Sequence, residues 1–200
     1  MFEVFLFVNP IGTVAQQAEL AVTQLAEELA ADFTLHFVLL LSPREIDHVI
    51  NVQGFNSHNL ALRNQLFQAA YHIALDYKAA QFQGNHKARA LLFTEQNLLH
   101  HNDWRYRGEF AAHAIAAHGI DPIVFSRDRK RTAMHDCFAS DQKIAREMGI
   151  TSTPAMVLFD NRQPNAPGMR IGNLESYDRL KSMCEQILVN PNWTAVPHPL

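Results

Sequence analysis

Cysteine is nearly missing from this chain: 200 residues contain two, Cys137 and Cys184. They lie far apart, with neither metal-ligand nor redox spacing between them, and each falls in a helix-like segment where a reduced cysteine serves as a small apolar filler. A surplus of either charge is missing too. The net charge is -3 and the charged residues are dispersed apart from one short run, which excludes a general drive toward nucleic acid or anionic membrane. No apolar run is long enough to span a bilayer. No P-loop, dinucleotide fingerprint or Ser-His-Asp context occurs, and no internal repeat. The chain opens on Met1-Phe2-Glu3 and runs straight into a strand-like stretch without a basic leader, from which a cytoplasmic location is expected.

What is present is a chain 48% apolar, enough for one substantial core or one domain carrying a large insertion. Phe2 to Val8, FEVFLFV, reads as a short strand buried on both faces. Asn9-Pro10-Ile11-Gly12 breaks it. Thr13 is a strong N-cap with Gln16 completing a capping box, and Val14, Ala18, Val22, Leu25 and Leu29 form a helical stripe to about Ala30. Thr34 to Leu41 returns to a strand, closed by Ser42-Pro43, so the first 42 residues make a βαβ unit with parallel strands.

Residues 43–57 read as loop. Helical signals then dominate: Ser57 as cap of a helix toward Gln83, a second over Lys87–His100, a third over Asp103–His118, and a fourth begun by Asp121-Pro122. About a hundred residues of this kind are too many for a connection and suffice for a helical subdomain, placed at 43–139. The flanks, 1–42 and 140–189, form the α/β domain, and 190–200 reads as an extended tail with Trp193 packing back.

A last helical segment, Ser140–Met148, stops at Gly149. Thr151-Ser152-Thr153-Pro154 follows, directly before the apolar strand Met156–Phe159. Proline cannot donate to a ladder and belongs at a strand's first residue, where Thr153-Pro154 is a candidate for a cis bond, against the ordinary trans turn proline. Asn161–Gly168 is a turn, Met169-Arg170-Ile171 an antiparallel partner strand, and a helix capped by Asn173 closes the domain.

This order of helix, Gly-Ile, Thr-Pro and strand resembles the cis-proline loop of thioredoxin-fold proteins. The whole succession, βαβ, helical insertion, proline loop, ββ, α, resembles the DsbA family from Phe2 to Leu188. The chain is similar above all to the cytoplasmic YjbH/SpxH adaptor group of Firmicutes, on Asn9-Pro10 ending the first strand and Glu19 early in the helix. That resemblance implies a thioredoxin-like α/β fold and a protein client, with Spx and the protease ClpXP as partners. It also puts the two catalytic cysteine positions at Gly12 and Ala15, with Thr13 and Val14 between, and the shifted register Asn9 to Gly12 is equally empty of cysteine. A DsbA-type centre needs a thiolate at a helix N-terminus and a resolving cysteine, so dithiol exchange is not expected.

The resemblance leaves binding geometry. The residue before the proline, Thr153, would offer its backbone to an extended peptide, and Ser152, Thr153 and Pro154 on one side with Pro10, Ile11, Gly12, Thr13 and Ala15 on the other would line the groove. No cofactor is expected under this reading. Two alternatives remain: a glutathione-dependent transferase or isomerase of kappa-class type, with the Thr13 hydroxyl holding the glutathione thiolate, and residual thiol-disulfide isomerase activity. His100-His101 and His113/His118 do not share a helix face as metal ligands do. The run Arg127-Asp128-Arg129-Lys130-Arg131 reads as a solvated helix end, or as a dock for an acidic partner segment. Glu95, on an otherwise apolar face, reads either as a buried acid or, as is more usual for such a residue, as one at the edge of the stripe.

Overall fold

The structure is a computed structural model that describes residues 2–28, 33–162, 168–171, 174 and 177–189. Its chain divides into two compact units, one made of residues 1–8, 14–38 and 153–200, the other of residues 9–13 and 39–152.

The first unit is built on a four-stranded sheet of β1 (Phe2–Val8), β2 (Phe33–Leu39), β3 (Ala155–Asp160) and β4 (Met169–Ile171), in the order β2-β1-β3-β4. β1 and β3 run antiparallel with Phe7 opposite Ala155 and Phe2 opposite Asp160, and β4 runs antiparallel to β3 with Ile171 opposite Met156. Phe2, Val4, Leu6, Phe7 and Val8 are fully buried. The first half of β1 nevertheless alternates, because Glu3 and Phe5 lie on a less covered face, where Phe5 stacks on His36 at 4.9 Å and His36 Nε2 stands 3.2 Å from Glu3 Oε1. Burial on both faces thus applies only to the strand's second half. Helices α1 (Thr13–Glu28) and α8 (Tyr177–Val189) belong to this unit apart from Thr13, and Lys181 Nζ donates to Glu28 Oε2 at 2.8 Å. Cys184 is fully buried on α8, as a small apolar filler should be. The Asn173 cap and the tail 190–200 lie outside the described residues.

The second unit is helical: α2 (Pro43–Val52), α3 (Leu60–Gln81), α4 (Asn85–His100), α5 (Gly108–Ala117), α6 (Pro122–Arg129) and α7 (Thr132–Glu147). α3 is its axis and packs against α2, α4, α6 and α7. From Ile73 to Ala80 every residue is buried, which an alanine-rich helix permits by letting its neighbours approach on all sides.

Of residues 43–57, expected to be loop, 43–52 are helical and only 53–57 form turn and irregular structure. Pro43 stands in the first helical turn, Ser42 Oγ accepts from Glu45 N–H at 3.2 Å, and Ile46, Val49 and Ile50 form a buried stripe. α3 is capped by Asn59, whose Oδ1 accepts from Leu62 N–H at 3.0 Å, rather than by Ser57. α5 starts at Gly108 because Asp103 and Trp104 occupy left-handed backbone (φ 53° and 56°) and turn the chain. α7 begins at Thr132, well before Ser140, and ends as expected: Gly149 at φ 67° donates to Arg146 O at 3.1 Å and Ile150 to Ala145 O at 2.8 Å, a Schellman closure. Asp121 caps α6, its Oδ1 accepting from Ile123 and Val124 N–H.

Candidate functional site

The expected site residues fall into both units. Pro10, Ile11, Gly12, Thr13 and Ser152 lie in the helical unit; Ala15, Thr153 and Pro154 lie in the sheet unit. In the sheet unit the Thr153-Pro154 bond is cis and leads directly into β3, with both residues half-buried. Ala15 stands in the first turn of α1.

In the helical unit the turn after β1 is held by side chains remote in sequence. Asn9 is buried; its Oδ1 accepts from Ile11 N–H at 3.1 Å and its Nδ2 donates to the Glu45 carbonyl at 3.3 Å, fixing the turn to α2. Gly12 N–H donates to Asn9 O at 3.1 Å. From α4, His100 Nε2–H donates to the Ile11 carbonyl at 3.0 Å while its ring packs on Trp104 at 4.5 Å. Burial holds His100 below its ordinary pKa and the nearby His101 lowers it further, against the pull of the Ile11 bond, so the ring is a neutral donor. Gln53 Nε2 donates to Thr13 Oγ1 at 3.4 Å.

Ile11 is wholly buried and Pro10 and Gly12 are buried with it. The turn they form is braced by the Asn9, His100 and Glu45 hydrogen bonds. Thr13 is half-exposed, and its hydroxyl is already engaged by Gln53. Asn9 is foreshadowed by its Asx-Pro position, but Gln53 and His100 have no local signal, because their partners lie 40 and 89 residues away.

Burial, reinforced by the charge of Glu185, pushes the Cys184 thiol up to about 12, opposite to the depression that activates a nucleophilic cysteine. Cys137 lies part-buried on α7.

A second polar constellation lies in the helical unit. Asp76 on α3 is almost fully buried; Tyr106 Oη donates to its Oδ2 at 2.6 Å and Arg129 Nε to its Oδ1. Glu95 on α4, 0% exposed, is not at the edge of a stripe. Desolvation first, then the charge of Asp76 and a hydrogen bond with it, raise the Glu95 carboxyl well above its ordinary value, against the weaker pull of Arg129. Glu95 therefore keeps its proton at pH values where an exposed glutamate has lost it. Among the described residues no His, Cys, Asp and Glu group has the arrangement to hold a metal ion. No helix among them is long and apolar enough to cross a membrane.

A four-stranded sheet whose last two strands follow a cis-proline, with helices inserted between its halves, defines a thioredoxin fold of the DsbA-like kind. The thioredoxin family model matches residues 5–182, and the chain belongs to that family. The ClpXP adapter protein SpxH of Staphylococcus epidermidis is 29% identical over 119 residues, which cover 60% of this chain and 44% of that protein. The ClpXP adapter protein SpxH of Bacillus licheniformis is 25% identical over 205 residues, covering 93% of this chain and 67% of that one. The chain thus spans about half to two-thirds of the length of these relatives. The crystal structure of the thiol-disulfide exchange protein alpha-DsbA2 of Wolbachia pipientis superposes with a TM-score of 0.61 at 13% identity, covering 93% of this chain and 81% of that one.

Proposed function

We propose that this chain is a protein-binding adaptor on a thioredoxin fold, without dithiol chemistry, that acts in the cytoplasm and hands a client to the ClpXP protease. The observation that supports it is the pairing of adapter-named relatives with Gly12 and Ala15 where a dithiol centre would have its sulfurs. Disulfide exchange requires a thiolate, and the buried Cys184 thiol is the reverse of one. Binding requires only backbone and surface. The client's extended segment pairs with the chain at Ser152-Thr153, ahead of Pro154, in the strand-addition mode. Spx is the client class that the adapter relatives bring to mind, and its breakdown is the direct assay.

The test is a reconstituted degradation reaction with ClpXP and labelled Spx. Adding this chain should speed Spx loss severalfold, and Thr153→Trp should slow it while the melting temperature stays put. No acceleration by the wild-type chain, together with insulin reduction at the rate of a two-cysteine thioredoxin-fold enzyme, would overturn the reading.

A further inference from the structure

The helical unit holds an open cavity of about 290 Å³ lined by α3, α5 and α6 and the Tyr106 turn. Ala111, Ala112 and Ile115 form one wall, Pro122, Phe125 and Ser126 the other, and Asp76, Tyr106 and Arg129 its polar end. That end is internally satisfied. Arg129 pairs with Asp76 and its Nη2 donates to the His72 carbonyl at 3.4 Å, and Tyr106 donates to Asp76 and stacks on His72 at 4.8 Å. Such a floor is rigid and has no surplus charge to neutralise.

The surroundings are different. Ile123, the residue after Pro122, is 80% exposed, and Phe82 is 58% exposed. Both stand beside a clasp in which Gln83 Nε2 donates to Asp121 O at 3.1 Å and Asp121 N–H donates to Gln83 Oε1 at 2.7 Å. Cations are frequent in the segments that line the cavity: Lys130 lines it, and Arg105 and Arg107 flank the lining Tyr106 along the chain. Asp128 is buried against Arg127 and Arg131, which leaves Glu109 and Asp121 as the exposed acids of these segments. A chain of net charge -3 therefore presents a locally positive rim around an apolar hole.

We infer that this cavity is the anchor pocket of a second docking surface, which receives one bulky apolar side chain of a peptide segment while flanking carboxylates of that segment meet Lys130, Arg105 and Arg107. This docking holds whether or not a client is gripped at the proline loop. Apolar burial supplies affinity, and the charged rim supplies approach rate and selects against basic segments. An aliphatic or aromatic side chain suits the volume, because the walls are alanine, isoleucine, proline and phenylalanine.

The test is selection from a displayed random peptide library on the full chain, followed by fluorescence anisotropy with one recovered peptide. Recovered peptides should carry Asp and Glu around a single Leu, Ile, Phe or Trp. Ala112→Phe, which plugs the cavity from an exposed helix position, should weaken binding about tenfold, and replacing the peptide's anchor by Ser should do the same. Lys130→Glu should weaken it severalfold and flatten its salt dependence. Ser126→Trp, from the opposite wall, serves in place of Ala112→Phe should that variant lower the melting temperature. An unenriched library, enrichment of basic or anchorless peptides, or affinity indifferent to a folded plug variant each overturns the proposal.

Discussion

Lys78 and Asp141 form an ion pair inside the helical unit, Nζ 2.7 Å from Oδ2 and 2.9 Å from Oδ1, with side chains only 7% and 8% exposed. Asp141 Oδ2 also accepts from Leu39 N–H at 2.9 Å, so one carboxylate joins α3, α7 and the end of β2. Burial raises the Asp141 carboxyl above its ordinary value, although Lys78 and the Leu39 bond oppose the rise. Removing one partner strands the other charge in the interior. Lys78→Met and Asp141→Leu should each cost about 3–5 kcal/mol, and the double variant should recover much of either loss. Urea unfolding of the four proteins in a double-mutant cycle measures this.

Glu95 makes stability depend on pH. Its folded-state value lies above the unfolded one, so over the interval between them the native chain binds more protons than the unfolded chain. Stability therefore falls as pH rises from about 4.5 toward the raised folded value. Glu95→Gln keeps a donor toward Asp76 and has no proton to lose. Unfolding free energies at about pH 5 and about pH 8 should differ less in the variant than in the wild type.

Gly168 admits no side chain. A Cβ there would lie 2.6 Å from the Phe159 ring and 2.8 Å from Val157 Cγ1. Gly168→Ala should lower stability by about 1–3 kcal/mol, the usual range for overpacking, and Val157→Ala should return part of it. Thermal melts of the single and double variants decide the point.

The cysteines should separate by reactivity. With its thiol pushed up to about 12 and fully buried, Cys184 should resist a thiol-specific reagent until the chain unfolds, leaving Cys137 to react first. Cys184→Ser assigns the slow phase. In the same preparation millimolar glutathione should leave the melting temperature unchanged, because Thr13 Oγ1 is held by Gln53; a clear rise would revive the transferase alternative.

The sheet was legible because its signals are local. An aromatic and β-branched run gave β1, Pro154 gave the start of β3, and Gly149 gave the end of α7. The helical unit was legible in kind but not in its joints. Pro43 closes a strand as readily as it opens a helix, and only the packing of Ile46, Val49 and Ile50 decides between them. Asp103 and Trp104 adopt left-handed backbone that neither residue advertises. The candidate site was read by analogy with a known fold, and its brace was not legible: Ile11 is wholly buried and its carbonyl is claimed by His100, 89 positions along, which no spacing rule anticipates.

That long-range brace bears on any attempt to engineer sulfur chemistry into the chain. A cysteine introduced at Gly12 would enter a covered turn, anchored through Asn9 to the Glu45 carbonyl and beside a peptide unit that already has an uncharged imidazole as its donor. An imidazole without a positive charge gives a neighbouring thiolate no electrostatic help. Two grafted thiols would therefore have the helix N-terminus, and not this histidine, to lower their pKa.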